Sequence, residues 1–177
     1  MITVTAITFG AGGVMAGSPI VGGAAMYDSK NIVENAVNSK DHTTLVAAVK
    51  AAGLVETLAS SGPFTVFAPT NAAFGKLPAG TVETLVKPEN KATLTKILTC
   101  HVVGKEVLAG ALKGMIADDG GSHPVPTVGG CTLQASYAGG KMMLTDENGN
   151  KATVTIADVK QSNGVIHVID GVLLPKQ

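Results

Sequence analysis

The sequence contains no tryptophan and no arginine, and only 3% of its residues are aromatic. Without large rings the core has to be built from Val, Leu, Ile and Ala. Without arginine there is no planar fork for bidentate capture of phosphate or carboxylate. The 13 lysines balance 13 carboxylates and are scattered rather than grouped. Nothing in that pattern forms the basic stripe of a nucleic-acid partner, and none is expected. Also missing are a G-x-S-x-G elbow, a Walker loop and an H-E-x-x-H pair. Those spacings place a nucleophile, a phosphate cradle or two zinc ligands on one local element. The few serines, among them Ser60, Ser61 and Ser122, fall in turn-like stretches. No catalytic residue, metal site or cofactor is expected.

Cysteine is scarce as well. Cys100 and Cys131 are not spaced as C-x-x-C, which excludes a thioredoxin-like site and a zinc knuckle. An even count favours a disulfide if the chain is exported; in the cytosol both are inert buried thiols. Charge is absent from residues 1–16, MITVTAITFGAGGVMA. That run has the length and texture of a signal peptide and is too short to span a bilayer. It lacks the usual basic residue ahead of the apolar stretch. A cut after Ala16 or one near Gly23-Ala24-Ala25 fits the small-residue rule. Residues 17–26 then read as a Gly-rich, exposed lead-in.

Helical signals dominate the first half. Asp28 or Ser29 is expected to cap a helix with Ile32, Val33, Ala36 and Val37 on one face. Asp41 is expected to cap a second, striped by Leu45, Val46, Val49 and Ala52 and stopped by Gly53. A short helix follows to about Gly62. FTVFAP (64–69) then reads as a strand. Thr70 is expected to cap NAAFGKL, Thr81 to cap TVETLVK, and Pro88 to open a further helix. CHVV (100–103) reads as a strand, and KEVLAGALKG as a helix stopped by Gly114. From residue 115 the pattern is β: strands at 124–128, 131–137, 141–146, 151–162 with a bend near Asp158, GVIHVID and GVLLP. Gly pairs at 129–130 and 139–140, and ENGN at 147–150, mark hairpin turns. Helices first and strands second give an α+β fold in segregated layers.

Polar residues inside apolar runs are the remaining candidates for chemistry. His167 and Asp170 have opposite parity on one strand, so they point apart and form no local dyad. Each is expected to satisfy a backbone group elsewhere. Cys100 and His101, as strand neighbours, face opposite sides and cannot serve as nucleophile and base. His101 meeting His167 across paired strands would supply two metal ligands and no third. DENGN (146–150) starts like a calcium loop but has Lys151 at the sixth position and Ala157 at the twelfth, so a hairpin turn is the better account.

Two segments taken together resemble the signature motifs of the fasciclin domain: GPFTVFAPTNAAFGKLP (62–78) and SNGVIHVIDGVLLP (162–175). LTKILTCHVVGKEV (94–107) resembles the family's central segment, with Cys100 where a Tyr usually precedes the His. The resemblance covers about residues 27–177, a single domain, and is closest to single-domain secreted bacterial members. It implies a wedge-shaped two-sheet β core with several short helices packed on one edge and end. It implies secreted, periplasmic or cell-surface placement. It also implies adhesion or surface interaction with an extracellular protein or polysaccharide, without catalysis. It favours the cut after Ala16. On this reading Phe67 and Phe74 are core, Thr70 caps its helix beside Asn71, Asn163-Gly164 makes a tight turn, and His167 and Asp170 are framework. His101, Asp158 and Val159 fall where animal relatives carry interaction residues; there is no RGD, and no integrin partner is expected. Two other classes stay in view: a carrier of a small apolar or sugar ligand in a cleft of the wedge, and a hydrolase using His101 or His167.

Overall fold

The computed structural model describes residues 19–176, so the expected leader and the cut after Ala16 lie outside the described residues. The elements are β1 (Ile20–Val21), β2 (Ala24–Ala25), α1 (Ile32–Ala36), α2 (Thr43–Ala52), α3 (Val55–Ala59), β3 (Phe64–Pro69), α4 (Asn71–Gly75), α5 (Thr81–Leu85), α6 (Lys91–Thr99), β4 (Val102–Val103), α7 (Ala109–Asp118), β5 (Ser122–Pro126), β6 (Thr132–Ala138), β7 (Lys141–Thr145), β8 (Lys151–Gln161) and β9 (Gly164–Ile169). The fold is α+β. Seven strands form one ladder in the order β4-β3-β9-β8-β7-β6-β5. The two sheets of the expected wedge are joined through β8. Its first residues pair with β7 as far as Thr153, and from Val154 onward it pairs with β9. The register slips on either side of Ile156, and Asp158 has a left-handed φ of 58°. A bulge of this kind bends a strand and re-aims its side chains.

β3 and β9 form the parallel pair at the centre, in register from Phe64–Gly164 to Pro69–Ile169. Every residue of β9 is buried, so both of its faces are covered. That is why FTVFAP and GVIHVI read as continuous apolar runs rather than alternating ones. Val66, Ala68, Ile166 and Val168 face one core, shared with α1, α2, α4 and α6. Phe67 and Ile169 face a second, closed by α7 and by β5–β7. Gly164 is required here, because a Cβ would lie 2.0 Å from the Phe64 carbonyl oxygen.

Several boundaries differ from the sequence expectation. The described part of the lead-in is ordered into a small hairpin, β1–β2, with Val21 and Met26 buried in the helical core while Ile20 and Gly23 stay exposed. α1 is capped by Asn31, not Asp28 or Ser29, in a capping box with Glu34. Asp41 lies in a 3-10 turn ahead of α2 and caps nothing; the side chain of Asn71 accepts from Thr44 N instead. Thr81 is the first residue of α5, after Gly80. α2 does end at Gly53, whose φ of 72° suits glycine and turns its N–H back to Lys50. Cys100 and His101 close α6 rather than opening a strand. α7 runs past Gly114 to Asp118, since burial of Leu112 and Ile116 outweighs the roughly 1 kcal/mol helical penalty of glycine. GVLLP is not a strand; the N–H groups of Leu173 and Leu174 are taken by side chains described below.

Polar side chains link the layers. Asn35, buried in α1, exchanges hydrogen bonds with both backbone groups of Tyr27 and donates to Gln161. Asn163 accepts from Ile32 N (3.0 Å) and donates to the carbonyls of Leu58 (2.6 Å) and Ser60 (2.7 Å). One amide thus ties the β8–β9 turn to α1 and to the end of α3. A disulfide joins Cys100, at the end of α6, to Cys131, at the start of β6, with a Cα separation of 5.4 Å.

Asn163→Ala orphans three backbone groups at once. It is expected to destabilise by roughly 2–4 kcal/mol in urea unfolding, against less than about 1 kcal/mol for Asn38→Ala, which loses one exposed bond to Glu34 O. Equal losses in the two variants would contradict this account. Thiol titration of the denatured, unreduced chain is expected to find no free thiol. Reduction is expected to cost roughly 3–4 kcal/mol on the loop-entropy model.

Candidate functional site

The polar residues of the two motif-like segments converge on a single loop. Thr65 on β3 donates its hydroxyl to Lys105 O (2.6 Å) and accepts from Val107 N (2.8 Å). His167 on β9 lies in register with Phe67, and the two rings stack with centroids 5.7 Å apart. His167 Nδ1 accepts from Asp158 N (3.1 Å), so its proton sits on Nε2, which donates to Val107 O (2.7 Å). The Asp158 carboxylate in turn accepts from Ala109 N (2.7 Å), the first residue of α7. No side chain of α7 caps that helix. Asp158 supplies the missing acceptor from the β8 bulge, and a carboxylate there also suits the helix dipole. Residues 105–109 are therefore strapped by β3, β8 and β9 together.

His101 performs the same task at the other end. Leu173 N donates to its Nε2 (2.9 Å), which leaves Nδ1 protonated and donating to Ile97 O (2.8 Å). The carboxylate of Asp146, almost fully buried in the β7–β8 turn, accepts from Asn148 N, Asn150 N and Leu174 N. These bonds hold the C-terminal segment 172–175 against the turn in place of a ladder. Asp170 accepts from Thr153 N (2.7 Å), as a framework residue. Thr70 accepts from Ala73 N (3.2 Å) at the start of α4. Asn71 donates to Lys40 O and accepts from the Thr43 hydroxyl and Thr44 N, bracing the start of α2. Phe67 and Phe74 are buried, one in each core.

The two histidines bond to different segments and form no dyad. All four of their ring nitrogens are engaged with backbone groups, so neither has a lone pair or proton free for substrate. Of the three residues expected to meet a partner, His101 and Val159 are buried and present no surface. Asp158 is exposed, although its carboxylate is already engaged by α7.

Two concavities among the described residues bear on ligand binding. One is an apolar cavity of about 50 Å³ beneath α1–α3, touched by His42 and His101. A dry cavity of about 150 Å³ is what admits benzene, so this one is far too small for such a ligand. The other is an open groove of about 610 Å³ between the start of α7 and the strands β6–β8. Its floor includes Met142 and Val154, and Lys113, Tyr137, Lys141 and Asp170 stand around it. The sequence reading did not single out Lys113, Tyr137 or Lys141. The one available signal was the Gly139-Gly140 turn, which puts Tyr137 opposite Met142 and Ala138 opposite Lys141.

Burial pushes His101 down to about 4, against the smaller opposing pulls of the Ile97 carbonyl and Asp146. Burial also lowers His42 and His167, against the carbonyls of Ala68 and Val107 and the carboxylates of Asp41 and Asp158. A group whose pKa is depressed on folding binds its proton more readily in the unfolded chain. Stability is therefore full above the unfolded imidazole range and falls as pH drops toward the folded value. At about 1.4 kcal/mol per unit, His101 alone accounts for roughly 3 kcal/mol of loss by pH 4. Urea titrations between pH 7 and pH 4.5 are expected to show this decline, with a shallower slope in His101→Gln. Parallel slopes for wild type and variant would contradict it.

A family model described as the fasciclin domain matches residues 40–175. Protein sll1483 of Synechocystis is 51% identical over 158 residues, covering 89% of this chain and 81% of the relative. The cell surface glycolipoprotein MPB83 of Mycobacterium bovis is 37% identical over 122 residues, 69% of this chain and 48% of its own length. The solved structure of a FAS1 domain pair from the insect cell adhesion molecule Fasciclin I superposes with a TM-score of 0.71 at 22% identity. The match covers 82% of this chain and 51% of that one, about half of the pair. The family model spans the central segment and both motif-like segments, and the chain belongs to the fasciclin-domain family.

Proposed function

We propose that this chain is an exported, non-enzymatic fasciclin module that mediates adhesion or surface interaction, with residues 1–16 as its leader. The observation that carries the reading is the use made of the polar residues in the motif-like segments. Thr65, Asn71, His101, Asn163, His167 and Asp170 each bind backbone groups of the chain itself. With these six engaged, what the scaffold offers a partner is its surface; His42, whose buried Nε2 has no partner, lies against the small apolar cavity. The disulfide supports an oxidising compartment. One relative is a cell surface glycolipoprotein and one structural neighbour belongs to a cell adhesion molecule, which points the same way. No described helix is long and apolar enough to cross a membrane.

A hydrolase and a carrier of an apolar ligand lack such support. A hydrolase would need a histidine free to move a proton, and His101 and His167 are both held. A carrier of an apolar molecule would need more room than the 50 Å³ cavity gives.

Beads coated with residues 17–177 are expected to adhere saturably to one class among bacterial cells, animal or plant cells and extracellular polysaccharide. Adhesion should disappear when the coat is heat-unfolded. Adhesion no greater than that of the unfolded coat would overturn the reading.

A further inference from the structure

The groove beside α7 exists because the sheet divides there. β7 and β8 are paired only from Met143–Thr153 to Thr145–Lys151. Beyond that point Lys141 and Met142 pair with β6 alone, while β8 continues with β9. The strands part, and α7, packed on β5 and β6 with Leu112 and Ile116 in the core, borders the gap. What is left is an open cleft of about 610 Å³, within the size range of small-ligand sites.

Its chemistry is mixed in a particular way. The floor is apolar, from Met142 and Val154. Lys113 on α7 and Lys141 at the start of β7 both line the groove, and neither is in an ion pair among the described residues. Lys113 Nζ sits 4.5 Å from the ring centroid of Tyr137, a cation–π contact that holds the ammonium at the rim. Tyr137 is more than a third exposed, although it lies on the strand face that carries Leu133 and Ala135 into the core. Asp170 uses one carboxylate oxygen on Thr153 N and has the other for a donor. The walls are not set by chance, because the start of α7 is fixed to the β8 bulge by Asp158 and His167.

We propose that this groove binds an anionic oligosaccharide segment. Two lysines lining one cleft favour carboxylate or sulfate groups. A carboxylate and a phenol in the same lining suit hydroxyl partners, and an apolar floor suits the C–H face of a sugar ring. A sugar acid presents anions, hydroxyl donors and C–H faces together. An acidic peptide presents the anions without the hydroxyls. The inference rests on the adhesion reading and names the chemistry of its partner.

The test uses the whole chain in solution, titrated with oligogalacturonate, sulfated dextran oligosaccharide, neutral dextran oligosaccharide and polyglutamate. Saturable binding to one of the two anionic sugars is expected, and the tighter of them identifies the anion. K113Q/K141Q is expected to weaken that binding at least tenfold and Y137A several-fold, with thermal stability kept near wild type. K87Q/K91Q, a distant exposed pair, is expected to bind as wild type. Neutral dextran or polyglutamate binding as tightly, or equal losses in the two lysine pairs, would overturn the proposal. So would the absence of binding to either anionic sugar. Bead adhesion that persists in K113Q/K141Q overturns the groove alone. Oligosaccharide binding without bead adhesion overturns the adhesion reading alone.

Discussion

The parallel ladder between β3 and β9 has protein on both faces, and the rest of the fold answers to that fact. A strand pair covered on both sides cannot pass its polar groups to water, and an unmet buried group costs about 1–3 kcal/mol. His167 and Thr65 lie within the ladder and Asn163 at its mouth. Each finds its partner in a different layer: the loop before α7, or α1 and α3. Satisfying the central strands therefore helps to fix the loop before α7, the start of α1 and the end of α3. The two cores, one helical and one under α7, are aligned by these bonds as much as by apolar contact.

The histidines show why such groups are held neutral. A charged imidazole has two donors and no acceptor. His101 and His167 each have to accept one backbone N–H and donate to one carbonyl. Protonation would put a second donor against a donor in a site closed to water. Glutamine is the substitution nearest in function, because its amide also offers one acceptor and donors. Lysine or alanine would leave at least one backbone group without a partner.

What could be read in the sequence divides along the same line. β3, α4 with its Thr70 cap, the Gly53 stop and the bend near Asp158 are local: turn chemistry, capping and an unbroken apolar run are enough to place them. Apart from the local Asn31–Glu34 capping box and the Gly80 start of α5, the misplacements are non-local. Asp41 has the composition of a cap, but Asn71, 27 residues beyond Thr44, holds that end of α2. GVLLP has the composition of a strand, but His101 and Asp146 take its N–H groups. Gly114 has the composition of a stop, but the packing of Leu112 and Ile116 carries α7 through it. No periodicity in a single segment contains information about a side chain arriving from another. The groove was illegible for a related reason. Lys113, Tyr137 and Lys141 are unremarkable as sequence neighbours, and it is the parting of β7 and β8 that brings them around one cleft.

This division separates scaffold from recognition. A residue such as Asn163 cannot change without stranding three backbone groups, so it has little freedom to adapt to a partner. Lys113 and Lys141 accept nothing from the backbone and support no helix end; their replacement leaves the ladder intact. Asp158 stands between the two roles. Its backbone N–H serves His167 and its carboxylate serves α7, yet it lies at the surface beside the groove wall. A partner that pulled on the start of α7 would thus act directly on the bond between the β8 bulge and the central ladder. The strap makes that wall stiff, which reduces the entropy lost on binding and suits a module whose task is to hold on.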